Sequence, residues 1–372
     1  MLRVVSFMGL FLFVMSAACV DRLNFDVGDV KDYALVVEGY VTNDPGPYEV
    51  RVSTTYDVDS TVVKRTGPPI KRLVLSDDAG NFEELKGDTG IYRTSETGIQ
   101  GTIGRAYKLT IELADGRIYE SIPDTMKPTG VVEAIDEEIV QYKDAAGVTN
   151  HGFDVFFDAS PGASTDFRFM WKVDMTYRIQ TQPWDVLGKC PFGNSNNCLA
   201  PLDCSGYIVV MNQLVYLKPC TCCDCWISVE QDAPIVSDYG LMNKGTVKHL
   251  YAGRLPITWF TMNYGTHVVV EQYSLSQQAY EFWRKVRIQQ DALNSLSQPV
   301  NGKIPGNWVQ TAGNEKPVMG LFYASAVNRK SIHLGFANLP DSSIVPPSKL
   351  YPIDCKDLPN TKRTPTKYWR AQ

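Results

Sequence analysis

The chain has 372 residues, 44% of them hydrophobic and 21% charged, and a net charge of −5. These are the proportions of an ordinary globular chain long enough for two domains. The acidic balance, with Lys and Arg scattered among carboxylates, argues against a nucleic-acid partner, which needs runs of cations along phosphates.

The first nineteen residues read as a lipoprotein signal. Arg3 gives a basic start, Val4 to Met15 is almost wholly apolar, and Ser16-Ala17-Ala18 sets small residues before Cys19. The apolar run is shorter than the ~20 residues of a spanning helix and ends like a cleaved signal. On this reading residues 1–18 are removed and Cys19 becomes an acylated N-terminus that attaches the chain to a membrane, residues 19–32 serving as its tether. An ordinary secretory signal is the alternative.

From Tyr33 the pattern changes to short alternating runs. Leu35, Val37 and Gly39 share one face, the turn Asn43-Asp44-Pro45-Gly46 follows, and Tyr48, Val50 and Val52 return, which predicts a β-hairpin. Strands are expected at Leu73 to Leu75 before the turn Asp77 to Asn81, and at Tyr107 to Leu113. A two-residue turn at Asp115-Gly116 then leads into Ile118-Tyr119. Residues 33–125 are thus read as a β-sandwich of immunoglobulin size. The prolines of Ile122 to Pro128 read as a linker.

Beyond the linker, Val131 to Val140, then Phe153, Val155 and Phe157, and then Phe167, Phe169, Trp171, Val173, Met175 and Tyr177 keep the period of two. A Cys-rich loop, 188–225, interrupts this pattern, and strands resume near Trp226 and at Thr266 to Tyr273. A helix is expected over 275–294, capped by the Ser274 to Gln277 spacing. Its stripe of Ala279, Phe282, Trp283, Val286 and Leu293 either packs on the second sandwich or presents Phe282 and Trp283 to a partner. Further strands at Val318 to Ala324 and Ser331 to Phe336 complete residues 126–350, and 351–372 form a Pro-rich tail. The fold class is mainly β: two tandem β-sandwich domains, immunoglobulin- or fibronectin-III-like, the second carrying the helix and the Cys-rich loop.

Apart from Cys19 there are eight cysteines: Cys190, Cys198, Cys204, Cys220, Cys222, Cys223, Cys225 and Cys355. An even set suits a disulfide framework in an oxidising compartment, with its connectivity open. Adjacent Cys222 and Cys223 are each expected to reach a different partner. The dense run Cys220 to Cys225 leaves a metal-thiolate site as the alternative. His151, His249, His267 and His333 are too far apart in sequence for a local zinc motif, and no nucleophile elbow, P-loop or dinucleotide fingerprint occurs. Asp77-Asp78, Glu83-Glu84 and Glu137-Glu138 are neighbours whose side chains diverge on a strand. No cofactor, metal or catalytic residue is therefore expected.

Several segments resemble one family. Leu35-Val36-Val37-Glu38-Gly39-Tyr40-Val41-Thr42-Asn43, with Pro47-Tyr48-Glu49-Val50, is similar to the opening motif of the Bacteroidetes lipoproteins grouped as domain of unknown function 4249. Tyr107-Lys108-Leu109 to Tyr119-Glu120-Ser121, Tyr273-Ser274-Leu275-Ser276 with Ala279-Tyr280 and Phe282-Trp283, Pro305-Gly306-Asn307 and Gly320-Leu321-Phe322 extend the match over nearly the whole mature chain. Where that family often ends in paired cysteines, this chain has Cys355 alone, which implies a bond from Cys355 to the 190–225 cluster. The resemblance implies a lipid-anchored outer-membrane protein at the cell surface, partnered by a TonB-dependent-receptor-like β-barrel, and brings no catalytic residues. Asp59-Ser60-Thr61 and Asp124-Thr125-Met126 resemble the O-glycosylation signal of that phylum. The expected function is binding, as an accessory subunit of such a barrel. Glycan binding or processing, and metal binding through the cysteine cluster, are the alternatives.

Overall fold

A computed structural model describes residues 34–55, 67–190, 196–230, 234–238, 246–293, 304–314, 316–348, 351–366 and 368–369. Cys19, the 19–32 tether and Asp59-Ser60-Thr61 lie outside the described residues.

The chain is mainly β. Its strands begin with β1 (Leu35–Thr42), β2 (Glu49–Thr54), β3 (Ile70–Asp77), β4 (Phe82–Glu84), β5 (Lys86–Asp88), β6 (Ile91–Arg93), β7 (Ala106–Leu113), β8 (Ile118–Ser121) and β9 (Asp124–Thr125). There follow β10 (Val131–Lys143), β11 (Thr149–Ser160), β12 (Phe169–Gln180), β13 (Leu187–Gly188), β14 (Cys198–Leu199), β15 (Tyr207–Val210), β16 (Gln213–Tyr216), β17 (Asp224–Glu230) and β18 (Ile235–Val236). The last are β19 (Val247–Pro256), β20 (Thr266–Ser274), β21 (Trp308–Ala312), β22 (Val318–Met319), β23 (Phe322–Ser325) and β24 (Val327–Leu334), with helices α1 (Trp259–Asn263) and α2 (Gln277–Leu293) flanking β20.

Two sheets enclose the first core. One runs β22-β1-β2-β6-β5 with β23 also on β1, the other β21-β8-β7-β3-β4 with β9 on β7. The alternation in β7 decides its facing: Tyr107, Leu109, Ile111 and Leu113 are all buried, and the residues between them are not. They meet Val37, Val50 and Val52 from β1 and β2, and Phe322 and Ala324 from β23. The β7–β8 turn has three residues rather than two. Leu113 N–H donates to Arg117 O at 2.9 Å across Ala114-Asp115-Gly116, and Gly116 takes φ +89, a value that favours glycine.

Two expectations about domain organisation need correction. β22 and β23 pair in parallel with β1, and β21 pairs with β8, so strands from beyond residue 300 complete the first core instead of the second. The unbroken burial of Leu321 to Ala324 shows that both faces of this segment are covered, but the partner sheet is fixed by pairing across more than 280 residues, which no local period encodes. Ile122 to Pro128 is likewise no linker. Asp124 and Met126 are buried, Met126 N–H donates to Arg105 O at 2.9 Å, and Lys127 bridges to Ser325.

The second core lies between the sheets β10-β11-β19 and β17-β12-β20-β24, with β18 on β12. Phe153, Val155 and Phe157 meet Phe169, Trp171, Val173 and Val268 there. The outer face of the same sheet is covered as well: Met170, Tyr273 and Leu275 pack with Ala279 and Tyr280 of α2, and with Leu321 and Tyr323 of the first body. Helix α2 is therefore wedged between the two bodies. Its cap is Ser276, whose Oγ accepts from Ala279 N–H at 3.2 Å, and not Ser274, which ends β20 and donates to Lys127 O. The segment after 350 is no free tail. Trp226 and Lys362 exchange both backbone hydrogen bonds at 2.8 and 2.9 Å, and Trp369 packs edge-on against Trp226.

Candidate functional site

A cleft of about 750 Å³ opens where the two bodies and α2 meet. β1 supplies Glu38, Gly39 and Tyr40, the β1–β2 turn supplies Asp44 to Pro47, β12 supplies Lys172, β20 supplies Tyr273, and α2 supplies Phe282 and Trp283, with Leu321 and Tyr323 behind. Aromatic rings form a continuous lining. Tyr40 stacks on Tyr323 at 5.5 Å and meets Tyr273 edge-on at 6.1 Å; Trp283 meets Tyr323 at 6.3 Å and Phe282 at 5.6 Å. The Lys172 ammonium stands 4.8 Å from the Tyr40 ring centre and 4.9 Å from that of Tyr273, placing one cation against the ring faces.

Local structure explains why these rings face one cavity. Gly39 lets β1 lie flat against β2, since a Cβ there would stand 2.8 Å from Val50 Cγ2. Gly320 holds φ +90, and a Cβ on it would stand 2.2 Å from Val37 O. Asn307 fixes the next residues: its Nδ2 donates to Phe322 O at 2.6 Å and its Oδ1 accepts from Phe322 N–H at 3.0 Å. Tyr323 is thereby turned away from the first core and into the cleft wall. Asn43 accepts from Val327 N–H at 2.7 Å, tying the β1–β2 turn to β24.

A partly buried ionic network braces one side. Glu271, 7% exposed, accepts from Arg329 Nε at 3.1 Å, from Tyr273 Oη at 2.9 Å and from the Tyr368 hydroxyl. Arg329 also pairs with Asp44 of the first body. These carboxylates hold the guanidinium above its ordinary range, hydrogen bonding to Asp44 being the main cause. Burial first, and the Glu271 charge second, raise the phenols of Tyr40, Tyr273 and Tyr368, so each remains a donor. Burial likewise raises the Tyr323 phenol well above its ordinary value. The Trp283 indole lies close enough to oppose that rise, yet neither Trp283 Nε1 nor Tyr323 Oη makes a hydrogen bond of normal geometry. Two buried polar atoms beside an aromatic cleft are the kind a ligand satisfies.

The profile of a family described as Domain of unknown function (DUF4249) matches residues 20–331. The chain belongs to that family. No curated protein and no solved structure matches it. Of the segments that carry the DUF4249 resemblance, the opening motif, Tyr273 with Phe282-Trp283, and Leu321 all border the cleft, and Asn307 positions its wall. In sequence they are scattered over almost 290 residues.

The structure brings Phe282 and Trp283 together with Tyr40, Lys172, Tyr273 and Tyr323, which sequence reasoning assigned to strands without a role. The signal that would have found Tyr323 is its position opposite Phe322, on the face away from the core. The eight cysteines stand elsewhere, as four disulfides: Cys190–Cys198, Cys204–Cys222, Cys220–Cys223 and Cys225–Cys355. Cys222 and Cys223 do bond to different partners, and Cys355 does reach the cluster. Cys-x-x-Cys spacing occurs at 220–223 and again at 222–225, and Cys220 and Cys223 of the first form a bond. Cys204, Cys222 and Asp354 lie close enough to surround an ion, but the first two share a bond and offer no thiolate.

The remaining candidates have structural partners. Asp77 caps its own turn, accepting from Ala79 N–H and Asn81 N–H at 3.0 and 2.9 Å, and Glu83 accepts from Ser95 N–H and Ile99 N–H. His267 and His333 sit directly opposite one another on β20 and β24, a pairing that sequence distance concealed. His249 stacks on Phe156 at 3.8 Å, and His151 meets Gln141. Thr125 of the second glycosylation-type triplet lies half-buried in β9 between buried neighbours. No helix among the described residues is long and apolar enough to cross a membrane.

Proposed function

We propose that this protein is a lipid-anchored outer-membrane surface protein that works by binding, as an accessory subunit of a TonB-dependent-receptor-like β-barrel. Cys19 is the anchor in this reading. The two bodies are immunoglobulin-like sandwich modules, the second inserted between strands of the first. The observation that carries the binding role is the cleft: its volume falls in the range of ligand sites, its walls come from both bodies, and rings with a few polar groups line it. Half-buried Phe282 and Trp283 at its border are the contacts offered to a loop of the barrel, since aromatic anchors seated in pockets dominate interfaces.

Outer membranes solubilised in mild detergent test this. A tagged copy should bring down a β-barrel; recovery as a monomer without a barrel would sink the reading.

A second reading, a glycan ligand, is favoured by one detail. Tyr40 and Trp283 present ring surfaces beside Glu38, Glu49 and Lys172, a mixture suited to stacking on a sugar and bonding its hydroxyls. Saturable binding of oligosaccharides to the purified chain, lost in Tyr40→Ala, would establish it over the barrel contact.

A further inference from the structure

The hairpin β15–β16 is apolar on both faces and carries no charge. From Tyr207 to Leu217 the residues are Tyr-Ile-Val-Val-Met-Asn-Gln-Leu-Val-Tyr-Leu. Ile208, Val209, Val210, Met211, Val215, Tyr216 and Leu217 are all exposed, Met211 at 96%. Successive strand residues point to opposite faces, so exposure of Ile208, Val209 and Val210 in a row puts apolar surface on both sides. A water-facing antiparallel sheet keeps one face polar.

The two strands pair with each other and with no other strand among the described residues. An isolated two-stranded hairpin is marginal in water. This one is closed at its tip by Met211 and Asn212, both at positive φ as a tight hairpin turn requires. It is closed at its base by Cys204–Cys222, with Cys220–Cys223 beside it. Covalent bonds, rather than packing, hold apolar surface out from the fold.

The base has a different composition from the tip. Trp184, Tyr207 and Tyr216 form a row of rings with centres 5.5 and 5.4 Å apart, and exposed Lys218 follows Leu217. Rings at the boundary of an uncharged tip, with a lysine beyond them, are the arrangement of a bilayer interface. A protein surface would cover one face and leave the other in water, whereas acyl chains accept both. Four-residue strands reach about 14 Å, about the depth of one leaflet of a ~30 Å hydrocarbon layer. The unpaired backbone edges need headgroups or water, which limits insertion to the boundary region.

We propose that residues 207–217 form a membrane-docking tip that inserts into the outer part of a lipid bilayer and gives the protein a second attachment beside its acyl anchor. This rests on the lipoprotein reading for its bilayer. Ala34 stands fifteen positions after Cys19, a reach of about 50 Å when extended, so tip and anchor can share one membrane. Two attachments fix the orientation of the cleft, where one flexible tether would not.

The test uses the chain from Val20 onward, which keeps every described residue and lacks the anchor, with phosphatidylcholine vesicles. The wild type should float with the vesicles, and Met211→Asp should lower the bound fraction about tenfold, a loss of ~1.4 kcal/mol, at an unchanged melting temperature. Met211, oxidised quickly by peroxide in solution, should be protected when vesicles are present. Flotation of the wild type no greater than that of the variant, or equal Met211 oxidation with and without vesicles, would overturn the proposal. So would loss of a co-purifying protein from Met211→Asp with vesicle binding unaltered, which would mark a protein interface. The mass of the N-terminal peptide tests acylation of Cys19 separately, so failure of one reading leaves the other visible.

Discussion

The ammonium of Lys172 lies 4.8 Å from the centre of the Tyr40 ring, joining β12 of the second body to β1 of the first across the floor of the cleft. The same lysine sits opposite Glu271 in the β12–β20 register. Replacing it keeps the Glu271–Arg329 pair but removes the cation from two ring faces. Lys172→Ala should cost about 1–2 kcal/mol in denaturant unfolding, while Lys172→Arg should retain most of it. A Lys172→Ala variant as stable as the wild type would show that the ring contacts add nothing.

Trp283 is half-buried, and its indole N–H has no hydrogen-bond partner. Truncating it should therefore affect recognition more than folding. Trp283→Ala is expected to reduce the partner recovered from detergent-solubilised membranes about tenfold, a hot-spot loss of at least ~1.4 kcal/mol. Its melting temperature should fall by only a few degrees. Undiminished recovery would remove Trp283 from the interface.

Asp124 links three elements, accepting from Ala324 N–H of β23 at 2.9 Å and meeting Ser276 at the α2 cap. Burial raises its carboxyl above the ordinary value. A raised folded pKa means that the acid's contribution is complete below its unfolded pKa of ~3.9 and is lost as pH rises through the folded value. Asp124→Asn, which cannot ionise, should thus compare worst with the wild type near pH 4 and gain on it towards pH 7. Melting curves at both pH values check this, and a constant gap would contradict it.

The Cys225–Cys355 bond closes 130 residues and holds the C-terminal segment on β17. Chain entropy assigns such a loop about 4–5 kcal/mol, part of it offset by other contacts. The double variant Cys225→Ser, Cys355→Ser should melt lower and lose the Trp226–Trp369 contact, visible in near-ultraviolet circular dichroism. Peptide mapping of the untreated protein should show four disulfides; free thiols with bound zinc would restore the metal-site alternative.

Strands were legible wherever one face was buried and the other wet, as in β7 and in the β1–β2 hairpin with its Asn43-Asp44-Pro45-Gly46 turn. Legibility failed where both faces are covered. β12 and β20 carry Lys172 and Tyr273 on the side away from the second core, and parity cannot tell a second packing layer from a cleft wall. Helix α2 is evident in the sequence, but its expected start falls two residues early because Ser274 and Ser276 both precede it, and only the pairing of β20 with β12, which sets Ser274 opposite Phe169, shows Ser274 to be strand. The cleft itself was invisible for a simple reason. Tyr40, Lys172, Trp283 and Tyr323 are brought together by parallel pairing of β23 with β1, a contact between sequence ends that no local pattern announces.

The central claim is that the cleft border meets an outer-membrane barrel. In cells carrying Phe282→p-benzoylphenylalanine, ultraviolet irradiation should yield one discrete adduct whose second component is a β-barrel protein. The same probe placed at exposed Phe82, on the far sheet, should give none. Irradiation that produces no barrel adduct at position 282, or the same adducts from both positions, would contradict the account.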